Sequence, residues 1–139
     1  MGKILCATRG GVAQRTQDAA IELAKERDEP LLFLYVVDLT FLNKTAAPIV
    51  VNVEDEITKM GSFLLLMACE RAAARGVAAQ SISRRGDLRE QLKKAAVEEG
   101  VSLVVLGRPE GERSVFALAD LEAFASEIEN ETGVEACIV

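Results

Sequence analysis

Histidine and tryptophan are both absent from the 139 residues, and only 4% of the chain is aromatic. Without imidazole there is no His-based catalytic triad, no imidazole general base and no His ligand for a metal. One tyrosine and five phenylalanines leave little to stack on bases or sugars. Cysteine is scarce as well. Cys6, Cys69 and Cys137 are an odd number at wide spacings with no paired-cysteine motif. That pattern argues against a disulfide framework or a zinc site and predicts reduced, mostly buried thiols. The longest wholly apolar run, Phe63 to Cys69, is far short of a membrane span. Met1-Gly2-Lys3 leads straight into Ile4-Leu5-Cys6 with no signal-peptide organisation. Basic charge is missing from one end: between Glu110 and Val139, eight acidic residues face Arg113 alone, a local charge of −7 in a chain of net charge −6. An acidic chain of this kind is a poor polyanion binder, so nucleic acid is not an expected partner. Neither is a membrane. The expected location is the cytoplasm.

What is present suits a packed domain. Half the residues are hydrophobic and 27% are charged, which supplies a core and excludes wholesale disorder. The length corresponds to one domain, residues 1–139. Apolar runs and amphipathic runs alternate. Lys3 to Thr8 is a short apolar segment stopped by Arg9-Gly10-Gly11. Val12, Thr16, Ala19, Ala20, Leu23 and Ala24 then recur at helical spacing, and Pro30 closes that helix. Leu31 to Val37 is continuously apolar, as strands buried on both faces are. Residues 38–53 read as a long connection containing Pro48 and an extended-looking stretch, Ile49 to Val53. A helix is expected from about Glu54 to Arg75 and a weaker strand from Ala78 to Arg84. Asp87, with Glu90 three residues on, forms a capping-box pattern that starts a helix running to about Glu99. Val101 to Leu106 is another buried strand. Val115 to Glu131 carries a last helical stripe, and Val134 to Val139 is a terminal strand. The order βαβαβαβαβ predicts an α/β fold: a doubly wound, three-layer α/β/α sandwich on a mainly parallel sheet, Rossmann-like in plan.

Several phosphate sites are excluded. No P-loop lysine motif exists, and no G-x-G-x-x-G follows the first strand. The acids a receiver domain needs after its first strand are missing, and Thr8-Arg9-Gly10-Gly11 lacks the Ser and Asp that flank a pyrophosphatase loop.

Over its whole length the chain resembles the universal stress proteins, small cytosolic α/β proteins that are often dimeric. Lys3-Ile4-Leu5-Cys6-Ala7-Thr8 looks like that family's opening strand, and Leu32 to Asp38 like its second. Gly86-Asp87-Leu88 looks like its usual Gly-Asp-Pro helix start, and Val104-Val105-Leu106-Gly107 like its fourth strand and following glycine. The resemblance implies a five-stranded sheet of order 3-2-1-4-5, the adenine-nucleotide-hydrolase-like arrangement.

Many members bind ATP, through an Asp after the first strand, a small apolar residue on the second, and G-x-x-G followed by Gly-Ser/Thr after the fourth. Val36 stands at the adenine-contacting position and Gly107 at the first phosphate glycine. Arg9, however, stands where the Asp would be. Glu110 occupies the second glycine position with Gly111 one residue late, and Asp120-Leu121-Glu122 falls where Gly-Ser/Thr belongs. Carboxylates facing a triphosphate repel it, by about 1 kcal/mol per pair even in a water-like dielectric. The resemblance is therefore to members without ATP binding, and no cofactor and no metal are expected.

A residual anion site is the remaining binding candidate. Ligands of doubly wound sheets sit beyond the carboxyl ends of the strands, at the switch point, which here lies between the first and fourth strands. Arg9 and Arg108 follow those strands, beside Thr8, Gly10, Gly11 and a helix start that favours negative charge. These arginines either grip an anion or pair with Asp38, Glu110 or Glu112.

Phe63 to Cys69 is apolar all round a helix, so either the 38–53 connection or a second subunit is expected to cover it. The terminal strand, through Val134, Ala136, Cys137 and Ile138, would be an apolar edge, and exposed edges invite pairing. In the family this strand commonly pairs across a two-fold axis, which implies a homodimer. The functional expectation is a non-catalytic, dimeric protein acting through an unidentified protein partner or a small anionic ligand. The alternative is an ATP- or AMP-binding member with a noncanonical phosphate loop. No catalytic constellation supports a third class, an unrelated enzyme on the same fold.

Overall fold

The computed structural model describes residues 2–8, 14–37, 47–107 and 118–139. Nine elements follow in order: β1 (Lys3–Thr8), α1 (Gln14–Arg27), β2 (Leu31–Val37), α2 (Ala47–Ala74), β3 (Ala79–Arg85), α3 (Leu88–Glu98), β4 (Val101–Leu106), α4 (Leu118–Thr132) and β5 (Glu135–Ile138). The strands form one sheet of order β3-β2-β1-β4-β5, and every described pair is parallel. The fold class and strand order are those the sequence implies.

Alternation along the strands builds a core on each face. Ile4, Cys6, Phe33, Tyr35 and Val105 point to the side covered by α1 and α2, where they meet Ile21, Leu65 and Ala68. Leu5, Leu32, Leu34, Val104 and Leu106 point to the other side, against Leu92 and Ala95 of α3 and Phe124 and Ile128 of α4. Leu31 to Tyr35 are all buried, as a strand covered on both faces requires. Each large side chain removed from water contributes roughly 1.5–3 kcal/mol, so these two layers hold the fold together. Ion pairs then align neighbouring helices. Arg71 and Arg75 reach Asp18 on α1 at 3.2 and 3.6 Å, and Lys93 reaches Glu131 on α4 at 3.1 Å. Such exposed pairs contribute little each and serve mainly orientation.

Every helix-to-strand turn lies at the amino ends of the strands. There Asp28 (φ 53°), Gly76 (φ 79°), Gly100 (φ 67°) and Gly133 (φ 75°) adopt the left-handed conformation that terminates a helix. At the end of α2, Val77 N–H donates to Ala72 and Gly76 N–H to Ala73, both at 3.0 Å, which satisfies carbonyls the helix leaves open.

The second helix corrects the sequence reading. Ile49 to Val53 is helical rather than extended, and α2 begins at Ala47. Pro48 is the second residue of the helix, inside the first turn where a missing N–H is harmless. It therefore marks a start rather than a break. No described helix is long and apolar enough to cross a membrane.

Candidate functional site

Because all strands run the same way, their carboxyl ends share one edge, and there the neighbours β1 and β4 lead on to helices on opposite faces, α1 and α4. A cavity of about 220 Å³ opens on the α3/α4 side of that edge. Its floor is Ala7 at the end of β1 with Leu106 and Gly107 at the end of β4. Leu88 and Leu92 of α3 form one wall, and Leu121 and Phe124 of α4 the other. The lining is mostly apolar.

Polar groups are confined to helix starts. Asp87 is the N-cap of α3, and its carboxylate accepts the Glu90 N–H at 3.0 Å. That bond satisfies one of the free donors of the first turn. Asp120, in the first turn of α4, also lines the cavity and is exposed. Arg89 lies over the Phe124 ring, 5.1 Å from its centroid, and reaches Glu127 at 3.8 Å. Its guanidinium thus ties α3 to α4 across the cavity wall. Among the described residues the lining holds no Ser, Thr, Cys, Lys or Tyr. Among the described residues no cluster of His, Cys, Asp or Glu is suited to a metal ion. Such a cavity can bind, and its shape is set by packing; among its described residues no nucleophile is paired with a base.

The sequence-derived candidates divide. Gly107 is at the cavity, at the end of β4. It also meets α1: a Cβ here would collide with the Thr16 hydroxyl, and Thr16 is itself buried. The close approach of a helix requires glycine at this position independently of any phosphate. Thr8 closes β1 in register with Tyr35. Val36 is half-buried and packs toward the α3/α4 core, but does not line the cavity. Arg9, Gly10, Gly11 and Arg108 lie outside the described residues. Val134, Ala136 and Ile138 pack toward the α3/α4 core, whereas Cys137 packs toward the other face. Arg89, Leu92 and Phe124 were not singled out from sequence as cavity residues. Leu92 and Phe124 are buried on their helices, and periodicity names a buried face but not what it encloses; Arg89 is exposed and carries no such signal.

Comparison with known proteins gives a consistent result. Residues 1–118 match the sequence pattern of the universal stress protein family. The chain is similar to Universal stress protein YxiE from Bacillus subtilis, with 32% identity over 114 residues, 76% of this chain and 77% of that one. Among solved structures, a universal stress family protein from Burkholderia pseudomallei superposes with a TM-score of 0.73 at 27% identity, covering 99% of this chain and 95% of that one. A universal stress protein in complex with cAMP gives a TM-score of 0.70 at 21% identity, covering 99% and 96%. The match to the family pattern ends at residue 118, where α4 begins.

Proposed function

The chain belongs to the universal stress protein family, and from that membership we propose that it is a non-catalytic, dimeric, cytoplasmic member that does not use ATP and acts through protein contacts or a small anionic ligand. The observation that carries this is the position of Asp120 and Leu121. They form part of the cavity wall at the place where the family's resemblance would put Gly-Ser/Thr around a phosphate. A carboxylate there repels a polyanion, and a leucine denies it a backbone N–H at close range. Size supports the same reading. At about 220 Å³ the cavity is smaller than the ~300 Å³ lower end of ordinary small-molecule sites.

A second reading is favoured by one finding, the related fold solved with cAMP. On that reading the chain binds a nucleoside monophosphate, with the base in the apolar cavity and one phosphate held by Arg9 and Arg108. Thermal shift separates the two. A ligand present at 100 times its dissociation constant stabilises by about 2.7 kcal/mol, a visible rise. Millimolar ATP with magnesium is expected to give none. A saturable rise with ATP or AMP but not with inorganic triphosphate overturns the first reading. A rise with inorganic triphosphate as well identifies an anion site instead, and mass spectrometry of the denatured protein shows directly whether nucleotide is retained.

A further inference from the structure

Five large hydrophobic side chains are exposed among the described residues, and four of them lie on α2: Met60, Phe63, Leu66 and Met67, between 46 and 63% exposed. The opposite side of the same helix is fixed to the sheet. Leu65, Ala68 and Ala72 are buried there, and Gly61 lets the helix backbone approach the Tyr35 ring so closely that a Cβ would collide with it. At 100° per residue the four exposed side chains form one continuous stripe. Its flanks are charged: Lys59, with Glu56 one turn before it, on the amino side and Glu70 on the carboxyl side, all exposed. Neither Lys59 nor Glu70 makes an ion pair among the described residues. These two are eleven residues apart, about 16 Å along the helix, too far to meet each other.

We propose that this stripe docks on the same stripe of a second copy, the two α2 helices antiparallel across a two-fold axis at the level of Leu64 and Leu65. The inference rests on the reading of the chain as a homodimer and assigns that dimer a surface other than β5. A two-fold contact must be self-complementary, with residue i meeting j and j meeting i. One axis level satisfies both halves of the pattern. It sets Phe63 opposite Leu66 of the copy, and it sets Lys59 opposite Glu70. A foreign partner would place no such constraint on the spacing. The four side chains expose roughly 450 Å², taking about 200 Å² for each fully exposed. A stable complex buries about 800 Å² per partner, so the apolar centre supplies roughly half of that area and its polar rim the rest. The surface is distinct from the terminal strand, because α2 covers β2 and β3, at the end of the sheet away from β5.

Sedimentation velocity over a concentration series tests the proposal, with circular dichroism confirming that each variant is folded. Phe63→Glu should weaken association by about thirtyfold or more, as loss of a central anchor does. Lys59→Glu and Glu70→Lys should each weaken it about fivefold, and the double exchange Lys59→Glu/Glu70→Lys should restore it. That restoration arises only if the two positions face each other between copies, and it needs no substitution in an apolar position. A dimer indifferent to Phe63→Glu and to both charge reversals overturns the α2 surface while leaving dimerisation, through β5, in place. A monomer at every concentration overturns both.

Discussion

Gly107 illustrates how one residue can satisfy two accounts. The resemblance in sequence would make it a phosphate glycine, yet the hydroxyl of Thr16 occupies the space a Cβ would need. Gly107→Ala is therefore expected to destabilise by about 1–3 kcal/mol, the usual cost of overpacking. Adding Thr16→Ala should recover most of that loss, measured as urea midpoints of the two single variants and the double. If Gly107→Ala costs nothing, the steric account fails. The thiols yield a second residue-scale expectation. All three are free. Burial, with Cys137 adding to it, pushes the Cys6 thiol up to about 12 from an ordinary 9.0. The folded chain thus holds this proton more tightly than the unfolded chain. The resulting stability is complete below pH 9 and is lost as pH rises from 9 toward 12. Cys6→Ala should flatten that alkaline fall in the urea midpoint. In the native protein at neutral pH, Cys6 should resist alkylation longer than Cys69 and Cys137, which are only partly buried.

At the scale of elements, strands and helix starts were the most legible parts of the sequence. β2 and β4 have the boundaries that their apolar runs predict, and Asp87 caps α3 as the capping-box pattern requires. Asp87→Ala should cost about 1 kcal/mol, the ordinary value of an N-cap, as a fall in thermal midpoint. A null result would mean that the Glu90 N–H finds water as readily as the carboxylate. The start of α2 was not legible, for a physical reason. Ile49, Val50, Val51 and Val53 are β-branched and favour extended backbone locally, but a helix of 28 residues is decided by its packing against the sheet, not by its first turn. The cavity was only partly legible. Asp120 and Leu121 stood out because the resemblance leads one to expect Gly-Ser/Thr there, whereas Arg89 and Phe124, 35 positions apart in sequence, meet across two helices. Periodicity assigns a residue to a face, and only the topology decides which faces confront each other.

The molecule as a whole is polar along its strands. At the carboxyl edge lie the cavity and the starts of α3 and α4, with Asp120 and Leu121 in the cavity wall. At the amino edge lie short turns closed by Asp28, Gly76, Gly100 and Gly133, with an open groove between the Asp28–Pro30 and Gly76–Ala78 turns. About 20 Å of parallel strand separates the two ends. Changes at one end should therefore be thermodynamically invisible to the other. Gly76→Ala should cost about 1 kcal/mol, since alanine must then hold a positive φ. Combined with Leu121→Ala, the two losses should sum to within about 0.5 kcal/mol. An excess beyond that would reveal a mechanical link through the sheet. Without one, the stability cost of exchanging side chains at one rim is set at that rim alone, and a gain at the opposite rim can offset it in full.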